Sequence, residues 1–279
     1  MFSCEDPIDV TLAEADPLLV VDGWIDNRPG TQEIKLTSSQ PFFDNIPATG
    51  ITEASVTVER SDGVIFEFPH TSNGTYSIDI PENESIGQVG DTFTLNIEIG
   101  ENQYDAVTTM GRSAPIDSIR QEFRDDQIFS DDGIYCELIS RDPAGVGDTY
   151  WIQTYKNGQF LNRPSEINIA YDAGFDSGGE LDGFIFITPI RELINELDDN
   201  LIPQPYVPGD VLRVEVHSMS EGNFFFVETL RDQLINSQAG IFAEPLANTQ
   251  GIINHVNGDD TVLGTFNVAE VSEIVYTVQ

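Results

Sequence analysis

The chain has 279 residues, of which 39% are hydrophobic, with 12 Lys and Arg against 48 Asp and Glu and a formal net charge of -36. That apolar share supports a packed core and excludes global disorder despite the charge, and the length suggests about two domains. Nucleic acid and anionic lipid surfaces are both bound through Lys and Arg, so such partners are strongly disfavoured; the acidity suits solubility, repulsion from anionic surfaces or cation binding.

The first ten residues carry one local signal. Cys4 follows Met1, Phe2 and the small Ser3, and acidic residues come directly after it at Glu5, Asp6 and Asp9. A bacterial lipoprotein signal reads this way around the cysteine that becomes acylated and N-terminal. On that reading residues 1–17 hold the lipid attachment and a tether. The charged start and long apolar run of a complete signal peptide do not precede Cys4, which would place Met1 inside a trimmed signal. No segment approaches the roughly 18 apolar residues of a membrane-spanning helix.

From residue 18 onward the pattern is that of strands. Leu18–Ile25 is apolar with Gly23 inside it, and Glu33–Thr37 alternates. Ala54–Arg60 and Val64–Phe68 flank Ser61-Asp62-Gly63 and predict a hairpin. Gly74–Ile80, Phe93–Ile99 and Gln103–Thr108 follow, the last two joined by Gly100-Glu101-Asn102. Short strands with turn signals at this spacing predict a β-sandwich over 18–112. Gly111–Pro115 reads as a linker, and 116–279 as a second, mostly β domain. Its strands are expected at 116–123, 134–140, 149–155, 167–171, 184–187, 211–217, 262–266 and 273–278. Asn157-Gly158 is a hairpin signal leading into Phe160-Leu161. Apolar spacing predicts helices over 190–197 and over 220–236, the latter capped by Ser220 or a neighbour. The fold class is therefore mainly β, with one or two helices in the second domain.

Chemistry-bearing constellations are weak. Asp172, Asp176, Glu180 and Asp182 share a Gly-rich loop of the kind hard cations use, but the spacing matches no EF-hand, and a solvated loop is the expectation. Asp125, Asp126, Asp131 and Asp132 around Ile128-Phe129 read the same way. Phe129 and Phe42-Phe43 read as core rather than as exposed tips. His70, His217 and His255 are far apart, and His217, in an alternating strand, reads as structural. Cys136 reads as a small buried hydrophobe in a strand. Asn83-Glu84-Ser85 matches a glycosylation triplet only formally. No nucleophile elbow, P-loop, dinucleotide fingerprint or zinc spacing is present, and no metal, cofactor or catalytic residue is implied.

Several segments occur together in a familiar order: Leu18–Asn27, Pro41–Asn45, Ala54–Gly63, Gly74–Ile80, Arg141–Gly158, Pro208–Leu230 and Gly240–Val271. With the leading Cys4-Glu5-Asp6, they make the chain resemble the Bacteroidota outer-membrane lipoprotein family catalogued as domain of unknown function 4249. The resemblance covers nearly the whole chain. It implies acylation at Cys4, exposure at the cell surface, and an immunoglobulin- or transthyretin-like first sandwich. It also implies work beside a TonB-dependent outer-membrane β-barrel as a non-enzymatic accessory subunit. A subunit of outer-membrane assembly or secretion machinery is the alternative, and a surface hydrolase using carboxylates a second. Departures from the usual pattern fall at Thr265, where an aromatic is expected, and at Phe224-Phe225-Phe226.

Overall fold

Strict alternation in the first hundred residues yields strands with one wet and one dry face. The computed structural model describes residues 16–41, 46–125, 131–178, 180–237, 249 and 251–279. Eight strands come from the first part of the chain: β1 (Leu19–Asp26), β2 (Gly30–Ser38), β3 (Ala54–Arg60), β4 (Ile65–Glu67), β5 (His70–Ser72), β6 (Thr75–Ile80), β7 (Thr92–Ile99) and β8 (Asn102–Thr109). Val21, Ile25, Ile34 and Leu36 of one sheet face Val58, Phe93, Leu95 and Ile97 of the other in a single core. Removing these faces from water drives the layers together. The predicted hairpin at Asp62-Gly63 joins β3 to β4. Asn73-Gly74 turns β5 into β6.

The chain does not finish this sandwich until its end. Two late strands, β15 (Asn254–His255) and β16 (Leu263–Ala269), pair with β8 and β1 respectively. The sheets therefore run β16-β1-β2-β6-β5 and β15-β8-β7-β3-β4. The β16–β1 pairing is parallel, and Ile253, Val262, Phe266 and Val268 are buried in the first core. This corrects the expected division: residues 116–279 are not a separate module, because part of them completes the sandwich over 18–112. Two glycines make the pairing possible. Gly23 lies opposite Phe266, and a Cβ there would stand 3.2 Å from the Phe266 ring. Gly264 has φ +96, and a Cβ there would fall 1.9 Å from the Val21 carbonyl oxygen.

The second core is built by β9 (Ile116–Arg124) and β10 (Gly133–Ser140), a hairpin, over a five-stranded sheet. That sheet contains β11 (Thr149–Lys156), β12 (Gln159–Leu161), β13 (Asn168–Tyr171), β14 (Val211–Met219) and β17 (Val271–Thr277), with β11 and β14 at its centre. Leu138, Tyr150, Ile152, Val214 and Val216 fill it, together with Cys136, which is fully buried as expected. Asn157 and Gly158 both have positive φ and turn β11 into β12, as that dipeptide does in a type I′ turn. No strand forms at 184–187; only Ile185 makes an isolated bridge, to Arg141, before the chain enters α1 (Thr188–Glu192). The helix expected over 190–197 stops at Glu192. Past that point Asn195 clamps β10, accepting from the Cys136 N–H and donating to the Cys136 carbonyl, both at 2.9 Å.

Helix α2 (Glu221–Asn236) starts where predicted, with Ser220 Oγ accepting from the Asn223 N–H. Only its first two turns are buried: Phe224 and Val227 pack with Ile169, Tyr171 and Met219, while Leu230 and Leu234 stay half-exposed. Asn223 ties the helix to β16 by donating to the Phe266 carbonyl and to Asn267 Oδ1, each at 2.9 Å. Thr265 donates its hydroxyl to Asn223 Oδ1, so the departure from an aromatic there serves this buried polar network.

The segment read as a linker is packed rather than solvated. Met110 and Ala114 are fully buried. Ser113 Oγ donates to the Val216 carbonyl at 2.7 Å and accepts from the Ser272 N–H at 3.1 Å, while the Ser113 N–H donates to Glu270 Oε2 at 2.7 Å. Arg112 pairs with Asp148 and donates to the carbonyls of Ala144 and Gly145. A segment anchored by a buried Ser113 bonded on three sides and by the Arg112–Asp148 pair is not a free hinge.

Candidate functional site

Period-two alternation in the second sheet sends Tyr150, Ile152, Leu212, Val214 and Val216 inward. It therefore sends Trp151, Gln153 and Tyr155 of β11, and Arg213, Glu215 and His217 of β14, outward. Register places them side by side: Trp151 opposite His217, Gln153 opposite Glu215, Tyr155 opposite Arg213. On the next strand Glu273 stands opposite Glu215 and the exposed Val275 opposite Arg213. Phe160 of β12 stacks on Tyr155 with centroids 4.9 Å apart. The Arg213 guanidinium lies over the other side of this group, 3.6 Å from the Tyr155 ring centroid.

The first sandwich closes one end of this array. Trp24 meets Trp151 edge-on at 4.9 Å and donates its indole N–H to His217 Nδ1 at 3.3 Å. With Nδ1 accepting, the imidazole carries its proton on Nε2 and donates it to Glu215 Oε2 at 2.8 Å. His217 is thus neutral with both nitrogens engaged, and burial pushes its pKa down to about 4. Glu215 is almost wholly enclosed. Its other oxygen lies within ion-pair distance of Arg28, at 3.1 Å, and of Arg213. Arg28 also pairs with Asp26 at 2.7 Å and with Glu273 at 3.0 Å. A buried carboxylate is tolerable only with such partners. The array has two ends with different chemistry. The end under Trp24 is a closed polar seam joining the two bodies. The end at Tyr155, Phe160, Arg213 and Val275 is open and offers rings and a guanidinium for stacking.

The acidic loop is not simply solvated, contrary to expectation. Asp172 is buried, and its Oδ1 accepts from the N–H groups of Gly147 and Asp148 at 2.7 and 3.1 Å. Asp182 accepts from the Gly145 N–H at 2.7 Å. Asp142, across from them, accepts from the Tyr150 hydroxyl at 2.5 Å and from the Gly183 N–H at 2.9 Å. Burial raises the pKa values of Asp142 and Asp148. These carboxylates satisfy the amides of two facing loops, whereas Asp176 and Glu180 point to solvent. Among the described residues no group of three or more His, Cys, Asp or Glu is placed to hold a metal ion.

Cys4 lies outside the described residues, as do Phe42-Phe43, Asp126 and Phe129. His70 and His255 are not brought to His217: His70 packs on Tyr76 and His255 on Tyr104, both in the first sandwich. The outward alternation of Trp151, Gln153 and Tyr155 against Arg213, Glu215 and His217 was the sequence signal for this face. Neither strand is informative alone, because the face forms only through their register. Among the described residues no helix is long and apolar enough to cross a membrane. No curated protein matches the chain. Residues 5–274 match the family described as Domain of unknown function (DUF4249), and the chain belongs to that family.

Proposed function

We propose that the protein is a surface-exposed outer-membrane lipoprotein. It works as a non-catalytic accessory subunit that binds an outer-membrane β-barrel of the TonB-dependent importer type. The observation that carries this reading is Ser3-Cys4-Glu5-Asp6, a lipidation-like cysteine followed by acidic residues. The fold supports it in two ways. Among the described residues the first strand begins at Leu19, downstream of the proposed tether at 5–17. A tether to the same membrane raises the effective concentration of the body near a barrel without new contacts. The seam at Trp24, His217 and Glu215, with the stitched segment 110–115, makes the two bodies a firm scaffold for contact loops. Multiple acyl chains at Cys4 give the stable anchoring that one chain does not.

Mass spectrometry of the native N-terminus tests the anchor. Acylated Cys4 as the first residue, and loss of membrane retention in Cys4→Ala, are expected; an unmodified Met1 or unchanged retention refutes it. Affinity capture through a tag on the exposed Gln279 tests the partner. Recovery of a TonB-dependent barrel is expected, and an assembly barrel in its place overturns the importer reading.

A further inference from the structure

The strands of the second sheet lead from the seam to Lys156, Val211 and Thr277. At that remote end a cleft of about 520 Å³ opens between the end of β11, the residues after β12 and the loop at 196–205. Its volume lies within the usual range for small-ligand sites. Its walls differ in sign. Lys156 and Arg163, two of the chain's 12 basic residues, face Asp131, Glu196, Asp198 and Asp199.

The groups are unequally committed. Lys156 Nζ is held 2.9 Å from Glu196 and 5.1 Å from the centre of the Tyr206 ring. Asp198 is used up in its own turn, with Oδ1 accepting from the N–H groups of Asn200 and Ile202. Arg163 is different. Its backbone N–H is bonded to Glu166 at 3.0 Å. Its guanidinium, among the described residues, has only ion-pair approaches of 3.5 to 4.0 Å, to Asp199, Glu196 and Glu166. A guanidinium has five donors arranged to grip a carboxylate with two parallel bonds, and these are free for a ligand. Asp199 is fully exposed at the rim.

The balance of charge selects the ligand. A simple anion meets four carboxylates around two cations, and a simple cation competes with Lys156 and Arg163 already in place. A molecule with a carboxylate at one end and an ammonium at the other satisfies both walls. We propose that this cleft binds a zwitterionic ligand, a free amino acid or a peptide of a few residues. Its carboxylate lies on Arg163 and its ammonium on Asp199.

The test is calorimetric titration of the purified full-length protein with trialanine, N-acetyl-trialanine and trialanine amide. Trialanine is expected to bind, and blocking either terminus to weaken binding by about tenfold or more, the effect of losing one charge-assisted contact. Arg163→Gln is expected to weaken trialanine to the level of the amide. Asp199→Asn, at a position too exposed to disturb folding, is expected to weaken it to the level of the acetylated peptide. No binding of trialanine, or equal binding of the three peptides, overturns the proposal, as does equal binding by the wild type and Asp199→Asn. The measurement involves neither membrane nor barrel, so its failure leaves the anchoring proposal standing, and failure of anchoring leaves this site intact.

Discussion

Replacing Phe266 by Ala tests the central architectural finding, that the late strands β15 and β16 are structural material for the first sandwich. Phe266 is fully buried in β16, and its ring lies against Gly23 of β1, filling the space a side chain there would occupy. With Ile253, Val262 and Val268 it belongs to the core between the two first sheets. The neighbouring backbone is held by β16–β1 pairing from Val20 to Asp26 and by the Asn223 clamp on the Phe266 carbonyl. The cavity therefore cannot collapse, and the loss should be about 3–5 kcal/mol, a large part of a typical folding free energy. Urea unfolding followed by tryptophan fluorescence is the assay. Trp24 lies on β1 and Trp151 on β11, so the two reporters sit in different bodies. Ionic strength is fixed because a charge of -36 makes stability salt-sensitive. A single shared transition is expected, with its midpoint lowered by about 1 M or more in the variant. Val275→Ala, at an exposed site on β17, should change stability by less than about 0.5 kcal/mol. A loss below about 1 kcal/mol for Phe266→Ala, or a fragment 16–112 that folds as stably as the parent, would refute the reasoning.

Gly264→Ala should be at least as damaging, since its Cβ would strike the Val21 carbonyl in a left-handed conformation; a melting temperature unchanged from wild type would show the parallel pairing to be loose. His217 should make stability depend on pH. Its folded pKa of about 4 lies below the ordinary 6.5, so between these values the unfolded chain takes up a proton that the folded protein does not. Stability is full above pH 6.5 and falls toward pH 4, by on the order of 3 kcal/mol from this group. The drop should be smaller in His217→Gln, and identical profiles for the two proteins would contradict the assignment. Cys136, with its thiol pushed up to about 12 by burial, should resist iodoacetamide at pH 8 in the folded protein and react fully in urea. Peptide mass spectrometry reads this site separately from Cys4, and rapid native labelling would mean that the second core opens readily.

Much of the strand content was legible because local rules decide it. Asp62-Gly63 and Asn157-Gly158 sit between alternating runs, and Ser220 stands directly before α2. What was not legible depends on partners distant in sequence. Val262–Phe266 reads as a strand, but nothing local says that it pairs with β1 rather than with its neighbours. Residues 190–197 have helical spacing, yet Asn195 is worth more to β10 as a clamp on Cys136 than as a helix residue. Gly111–Pro115 has linker composition, but composition cannot reveal that Ser113 will be bonded on three sides. The outward face of the second sheet illustrates the same limit: Trp151 and His217 become neighbours only through register, and Trp24 joins them only through the fold.

The crossing from β16 to β17 also constrains how the protein is made. Only Glu270 separates the two strands, and the contacts around it join residues as far apart as Arg28 and Glu273, 245 positions along the chain. Pairing over such separations is slow, and synthesis delivers the N-terminus first. Until residue 269 has emerged, β1 presents an unpaired edge and its core lacks Phe266. An emerging chain therefore stays open through nearly its entire synthesis, and its bare edge is available for mispairing with other strands until then. The final strands then act as a closing step that locks both bodies at once.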